Sequence, residues 1–108
     1  MTAKEVAEKY KLNDGVVIFE PSDVYSKAII GVSEDHNHLI YDYEKMIESL
    51  FESIKEDEHY LEEDGVDEDL VWQDATDWIE YNTIRSIPYL GDKAPIIHYY
   101  EEEEIDSD

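Results

Sequence analysis

The chain has 108 residues, a length that suits one domain built around a single core. Thirty acidic residues against eight basic ones leave a formal charge of −22, far beyond what solubility requires, and that balance argues against direct nucleic-acid binding. Hydrophobic residues at 42% and aromatics at 12% argue equally against disorder, because disordered chains lack that supply of core formers.

Thr2 followed by Glu5 is a capping box that opens a short helix over roughly residues 3–10, with Val6 and Tyr10 on its inner face. This opening resembles the first helix of a helix-turn-helix domain, but no recognition helix follows it. "NDG" (13–15) breaks the helix, and "VVIFE" (16–20) reads as a strand ended by Pro21. "AIIGV" (28–32) and "HLIYD" (38–42) flank the polar "SEDHN" and read as a β-hairpin.

Asp42 caps the next helix, whose apolar stripe is Met46, Ile47, Leu50, Phe51 and Ile54. Glu44, Glu48, Glu52 and Lys55 fall outside that stripe, and Leu61 would prolong it past Glu58. Asp67 opens a third helix with Val71, Ala75, Trp78, Ile79 and Asn82 on one arc, Trp72 at its edge, and Gln73, Asp77 and Glu80 opposite. Both tryptophans are expected in the core, and Asn82 in buried hydrogen bonds. Arg85 would lie in the last turn, which ends before Pro88. "IIHYY" (96–100) is a last strand, and 101–108 an acidic tail expected to be disordered. The fold class expected is α+β: one domain over 1–100, with a small antiparallel sheet of three to four strands, two main helices and a short N-terminal helix.

No cysteine is present, hence no disulfide framework or thiol nucleophile. No apolar run approaches a membrane span or a signal-peptide core, so the expected location is the cytoplasm. From residue 56 onward there are nineteen acids and, against them, Arg85 and Lys93. The densest stretch runs from Glu56 to Asp69. With Gly65 at the sixth position of a calcium loop, Tyr60 and Val71 would stand at positions one and twelve, where carboxylates are required. It is therefore not an EF-hand. His36 and His38 beside Asp35 have no supporting zinc spacing and read first as solvated loop residues. Catalytic motifs are also missing: no nucleophile elbow, phosphate-binding glycine loop or metalloprotease helix. The expectation is a non-enzyme without cofactor or bound metal.

The acids remain as a surface. Rows such as Glu44, Glu48 and Glu52, or Gln73, Asp77 and Glu80, place side chains about 5–6 Å apart on a helix. Solvated faces normally interleave such acids with lysine, and these do not. The residues expected to bind a partner are Glu56, Asp57, Glu58, Glu62, Glu63, Asp64, Asp67, Glu68, Asp69, Asp77 and Glu80. Tyr81, Tyr89, Tyr99 and Tyr100 lie in the same half, read first as core or half-buried and second as interface anchors.

The segment "DWIEYNTIRSIPYLGDKAPII" resembles the C-terminal signature of small uncharacterised acidic proteins carried by phages and mobile elements of Gram-positive bacteria. The matching residues are Trp78, Glu80, Tyr81, Asn82, Thr83, Arg85, Pro88, Tyr89, Gly91, Ala94, Pro95, Ile96 and Ile97. "LIYDYEKMIESL" (39–50) is similar to the strand-to-helix step of such proteins, and the two segments cover about a third of the chain. Residues 55–69 lie outside the resemblance. What it implies is genomic context. By analogy, a strongly acidic phage protein blocks a host nucleic-acid-binding defence protein, such as a CRISPR effector or restriction nuclease, by imitating nucleic acid. The partner expected is thus a basic nucleic-acid-binding host protein, met by a monomer whose self-repulsion disfavours oligomers. Two rivals are an adaptor whose charge serves solubility alone and a metal-dependent enzyme using carboxylates with His36 or His38.

Overall fold

The computed structural model describes residues 1–56, 61–62 and 65–99. Helix α1 (Ala3–Lys9) begins at the expected capping box: the Thr2 hydroxyl accepts from Glu5 N–H at 3.2 Å, and the Glu5 carboxylate accepts from Thr2 N–H at 2.8 Å. A one-turn helix α2 (Ser22–Tyr25) and a 3-10 turn (Ser26–Ala28) lead into strands β1 (Ile29–Val32) and β2 (Leu39–Asp42). Helix α3 (Tyr43–Ile54) follows, capped by Asp42, which accepts from Lys45 N–H at 2.9 Å. A two-stranded ribbon, β3 (Leu61–Glu62) with β4 (Gly65–Val66), precedes helix α4 (Glu68–Trp78). The Asp67 carboxylate caps α4 through Leu70 N–H at 3.3 Å. Beyond α4 the chain widens into a π-turn (Ile79–Thr83), tightens into a 3-10 stretch (Ile84–Tyr89) and ends in β5 (Ile96–His98).

The molecule is α+β, with the short N-terminal helix and two main helices beside a three-stranded sheet of order β1-β2-β5. β1 and β2 form the expected antiparallel hairpin, with an irregularity between Ile29 and Gly31 that leaves Ile30 exposed. β5, however, runs parallel to β2 (Ile40 opposite Ile96, Tyr41 opposite Ile97), so the sheet is mixed. The connection from β2 to β5 contains both main helices, and a connection of that length frees the returning strand from the antiparallel direction a tight turn imposes.

Two further expectations are corrected. Residues 16–19 join no sheet: Val17 N–H reaches the Lys93 carbonyl at 3.1 Å, and Phe19 N–H donates to the Tyr41 hydroxyl at 3.1 Å. The apolar run packs as an extended strap whose Phe19 enters the core. The turn before it is held by Lys93, whose ammonium donates to the Asp14 carbonyl at 2.5 Å, next to Gly15 at φ +84°. Leu61 does not extend α3, which ends at Ile54. Leu61 pairs instead with Val66, and Glu62 with Gly65, so a two-stranded ribbon lies between α3 and α4. The expected strand at 96–100 is described as far as Tyr99 and is three residues long. Tyr100 and the tail 101–108 lie outside the described residues.

The core gathers Val6 from α1, Phe19 from the strap, Tyr25 and Ala28, Leu39 and Tyr41 from one face of β2, Met46, Ile47 and Leu50 from α3, and Ala75 and Ile79 from the α4 stretch. Leu39 and Tyr41 are two residues apart and therefore point the same way from the strand. α3 packs against α4, α2, the 3-10 turn and β2.

This core folds against the repulsion of its own charges. Raising NaCl from 20 to 500 mM shortens the screening length from about 20–30 Å to a few ångströms and should raise Tm by about 5–10 °C, a stabilisation on the order of 1–2 kcal/mol. Thermal melts by circular dichroism at the two salt concentrations check this. An unchanged or lower Tm in high salt would show that repulsion does not limit stability.

Candidate partner-binding face

From α4 into the π-turn the chain has two sides. The buried row is Val71, Ala75, Ile79 and Thr83, repeating every fourth residue. One position behind it stand Trp78 and Asn82, and the expectation that both are buried is overturned. Trp78 is 56% exposed, and the Asn82 side chain, also exposed, donates back to the Trp78 carbonyl at 3.2 Å. Trp72 is 38% exposed, its ring resting against Phe51 at 5.5 Å. Tyr81, Tyr89 and Tyr99 are exposed as well, Tyr89 at 88%. Of the aromatic residues assigned first to the core, Trp78, Tyr81 and Tyr89 therefore stand more than half in solvent, while Trp72 and Tyr99 are partly covered.

The proposed partner-binding acids do not share one environment. Glu56, Glu68, Asp69 and Asp77 are exposed, and among the described residues no lysine, arginine or histidine lies within ion-pairing distance of them. Glu68 and Asp69 occupy the first turn of α4, where the helix dipole favours negative charge. Asp67 is exposed, but one of its oxygens is committed to the cap. Glu80 is half-buried and accepts from the Tyr43 hydroxyl at the start of α3. Burial, then the bond to Glu80, hold the Tyr43 hydroxyl well above the usual tyrosine range. The Tyr99 ring packs on Tyr43 at 4.9 Å, and burial, with Glu80's charge nearby, raises its pKa too. Glu80 thus joins α3 to the π-turn rather than facing outward. Glu62 lies in β3, while Asp57, Glu58, Glu63 and Asp64 lie outside the described residues.

The row Gln73–Asp77–Glu80 consequently presents one free carboxylate, Asp77. On α3, Glu44, Glu48 and Glu52 are all exposed at intervals of four, but the expectation that no lysine interleaves them is corrected: Glu52 is bonded to Lys55 at 2.9 Å, and Lys45 of the same helix stands beside Glu48. An open groove of about 330 Å³ beside this row is lined by Lys27, Lys45, Glu48, Ser49 and Glu52, so its charges balance.

His36 and His38 serve the loop 33–38. His36, at φ +62°, bonds through Nδ1 to the Tyr10 carbonyl at 2.9 Å, and His38 through Nδ1 to the Ala94 carbonyl at 2.7 Å. Asp35 closes the loop by accepting from the Ser33 hydroxyl at 2.6 Å and from Asn37, and these bonds, Ser33's foremost, lower its pKa. Both histidines pin the hairpin to its neighbours. Among the described residues no three histidine, aspartate or glutamate side chains gather as a metal cage would require. Nor, among them, is any helix long and apolar enough to cross a membrane.

Comparison of the chain with protein-family models, with curated proteins and with solved structures found no match.

Proposed function

We propose that this chain is an acidic binding protein, not an enzyme, that occupies the nucleic-acid site of a basic host protein and thereby inhibits it. The observation that carries this reading is the exposed, evenly spaced acid row Glu44–Glu48–Glu52 on α3, of which Glu52 is paired with Lys55, together with Glu68, Asp69 and Asp77 on α4, which meet no basic side chain among the described residues. Carboxylates held on rigid helices keep a fixed spacing, as phosphates do along a nucleic-acid strand. Charge of one sign steers a cationic groove toward the protein and makes association salt-dependent. The resemblance of residues 78–97 to phage-borne acidic proteins supplies the setting, in which a host defence nuclease or CRISPR effector is the natural target.

The test is affinity capture from host lysate at 50 and 500 mM salt, followed by elution with excess duplex DNA or RNA. Basic nucleic-acid-binding proteins should be retained at low salt and released by nucleic acid. Glu44→Lys with Glu48→Lys should weaken retention at least about tenfold, the equivalent of 1.4 kcal/mol. If nothing of that class is retained at low salt, or nucleic acid fails to displace it, the reading is wrong and the charge serves solubility.

A further inference from the structure

The acid rows say nothing of why large aromatic rings stand in water beside them. Two lines of residues run along the outer side of the α4 stretch, Leu70–Asp74–Trp78–Asn82 and Gln73–Asp77–Tyr81–Arg85, each stepping by four and so presenting adjacent side chains. Trp78 and Tyr81 sit at their middle, 56% and 64% exposed, with Asp77 next to one and a helical turn from the other. Tryptophan is normally buried over most of its surface, and exposed aromatic patches rimmed by polar groups mark interaction sites.

We propose that this face takes arginine side chains of the partner, Trp78 and Tyr81 receiving the guanidinium planes while Asp77 accepts their N–H groups. The proposal rests on the charge reading above and adds to it the chemistry of the partner and the centre of contact. Charge complementarity selects the occupant, since a chain of net charge −22 repels anionic partners. An uncharged apolar partner would have to strip water from Asp77 without compensation. A cation fits ring and carboxylate together. The fold already holds an example of the contact: the Arg85 guanidinium stands 5.8 Å from the centre of the Tyr81 ring. Arginine is preferred over lysine for a physical reason. Its planar, weakly hydrated guanidinium stacks on a ring and donates a fork of N–H groups at once, whereas the ammonium of lysine is compact and strongly hydrated. Grooves that bind nucleic acid use arginine in the same way, against phosphates and base faces, so the carboxylate stands for the phosphate and the ring for the base.

The probes are fluorescently labelled deca-arginine and deca-lysine, equal in length and charge, titrated by anisotropy at 100 mM salt. The unmodified protein should bind deca-arginine about fivefold or more tightly than deca-lysine. Trp78→Ala with Tyr81→Ala should bring that ratio to near one while deca-lysine affinity stays within about twofold, since its attraction is Coulombic. Asp77→Asn should weaken both peptides. Both rings are exposed, so the double variant should keep its fold, which circular dichroism checks. Equal affinities in the unmodified protein, or an unchanged ratio in the double variant, would overturn the proposal. Concentration-dependent self-association abolished by Trp78→Ala would also overturn it, by assigning the face to a second copy of the chain. No nucleic-acid-binding protein enters this experiment, so its failure is distinct from failure of the competition test above.

Discussion

Raising the pH from 9 to 12 is expected to unfold the protein cooperatively. A tyrosine in water ionises near pH 10. Tyr41 is wholly buried beneath the helices, and burial pushes its hydroxyl up to about 12, further than the bond from Phe19 N–H can offset. Tyr25 is also buried; its hydroxyl faces Thr83 and Trp78 without reaching hydrogen-bond geometry with either, and burial raises its pKa. Between pH 10 and 12 the unfolded chain releases protons that the folded chain keeps. The stability these tyrosines confer is therefore complete below pH 10 and lost as the pH rises through 12. Tyr41 alone removes on the order of 2–3 kcal/mol across that window, a large share of the roughly 5–15 kcal/mol that holds a domain together. Circular dichroism and tyrosinate absorbance followed together should change in step. Tyr41→Phe separates the contributions. It should cost about 1–3 kcal/mol at neutral pH, because Phe19 N–H loses its acceptor, and it should soften the alkaline loss. Unchanged circular dichroism through pH 12 would show that the tyrosines titrate without unfolding the chain.

The elements that local chemistry dictates were legible in the sequence. The capping box at Thr2 and Glu5, and the caps at Asp42 and Asp67, set helix starts within a few residues of themselves, and all three form. The apolar stripe of α3 points into the core as its spacing requires. What stayed hidden depends on residues distant in sequence. The strap 16–19 has the composition of a strand, but the main-chain donor of Phe19 is met by a side chain 22 residues away. The direction of β5 is set by two intervening helices, which no property of "IIHYY" encodes. Glu80 has the spacing of a surface acid, and its bond to Tyr43, 37 positions earlier, has no local signal.

The exposure of Trp78 has a different origin. An arc wide enough to admit both Trp78 and Ile79 counts apolar residues without asking which of two adjacent positions the neighbouring helix covers. The stricter four-residue row Val71, Ala75, Ile79, Thr83 was present in the sequence, and its last member is a polar threonine, which disguised it. α3 packs against that row, and the π-turn carries it one residue further than an α-helix would, so Thr83 rather than Asn82 is enclosed. The same geometry leaves Trp78 and Tyr81 outward, where size and exposure together suit them to bind rather than to fill space.

That distinction predicts opposite outcomes for neighbouring residues. Ile79→Ala empties a site with no solvent exposure at the head of the π-turn, among Ala75 and the α3 side chains. Lost transfer energy and the cavity left behind should cost about 2–4 kcal/mol, lowering Tm by about 10 °C or more. Trp78→Ala removes a far larger side chain one position earlier, yet more than half of it is already in water. Its cost should stay near 1 kcal/mol or below, because exposed substitutions leave the core intact. Urea denaturation of the two variants beside the unmodified protein measures both. If Trp78→Ala proves as damaging as Ile79→Ala, the ring belongs to the core and the binding face proposed for it disappears. If the order is as stated, a tryptophan that contributes little to stability is held in place by an isoleucine that contributes much.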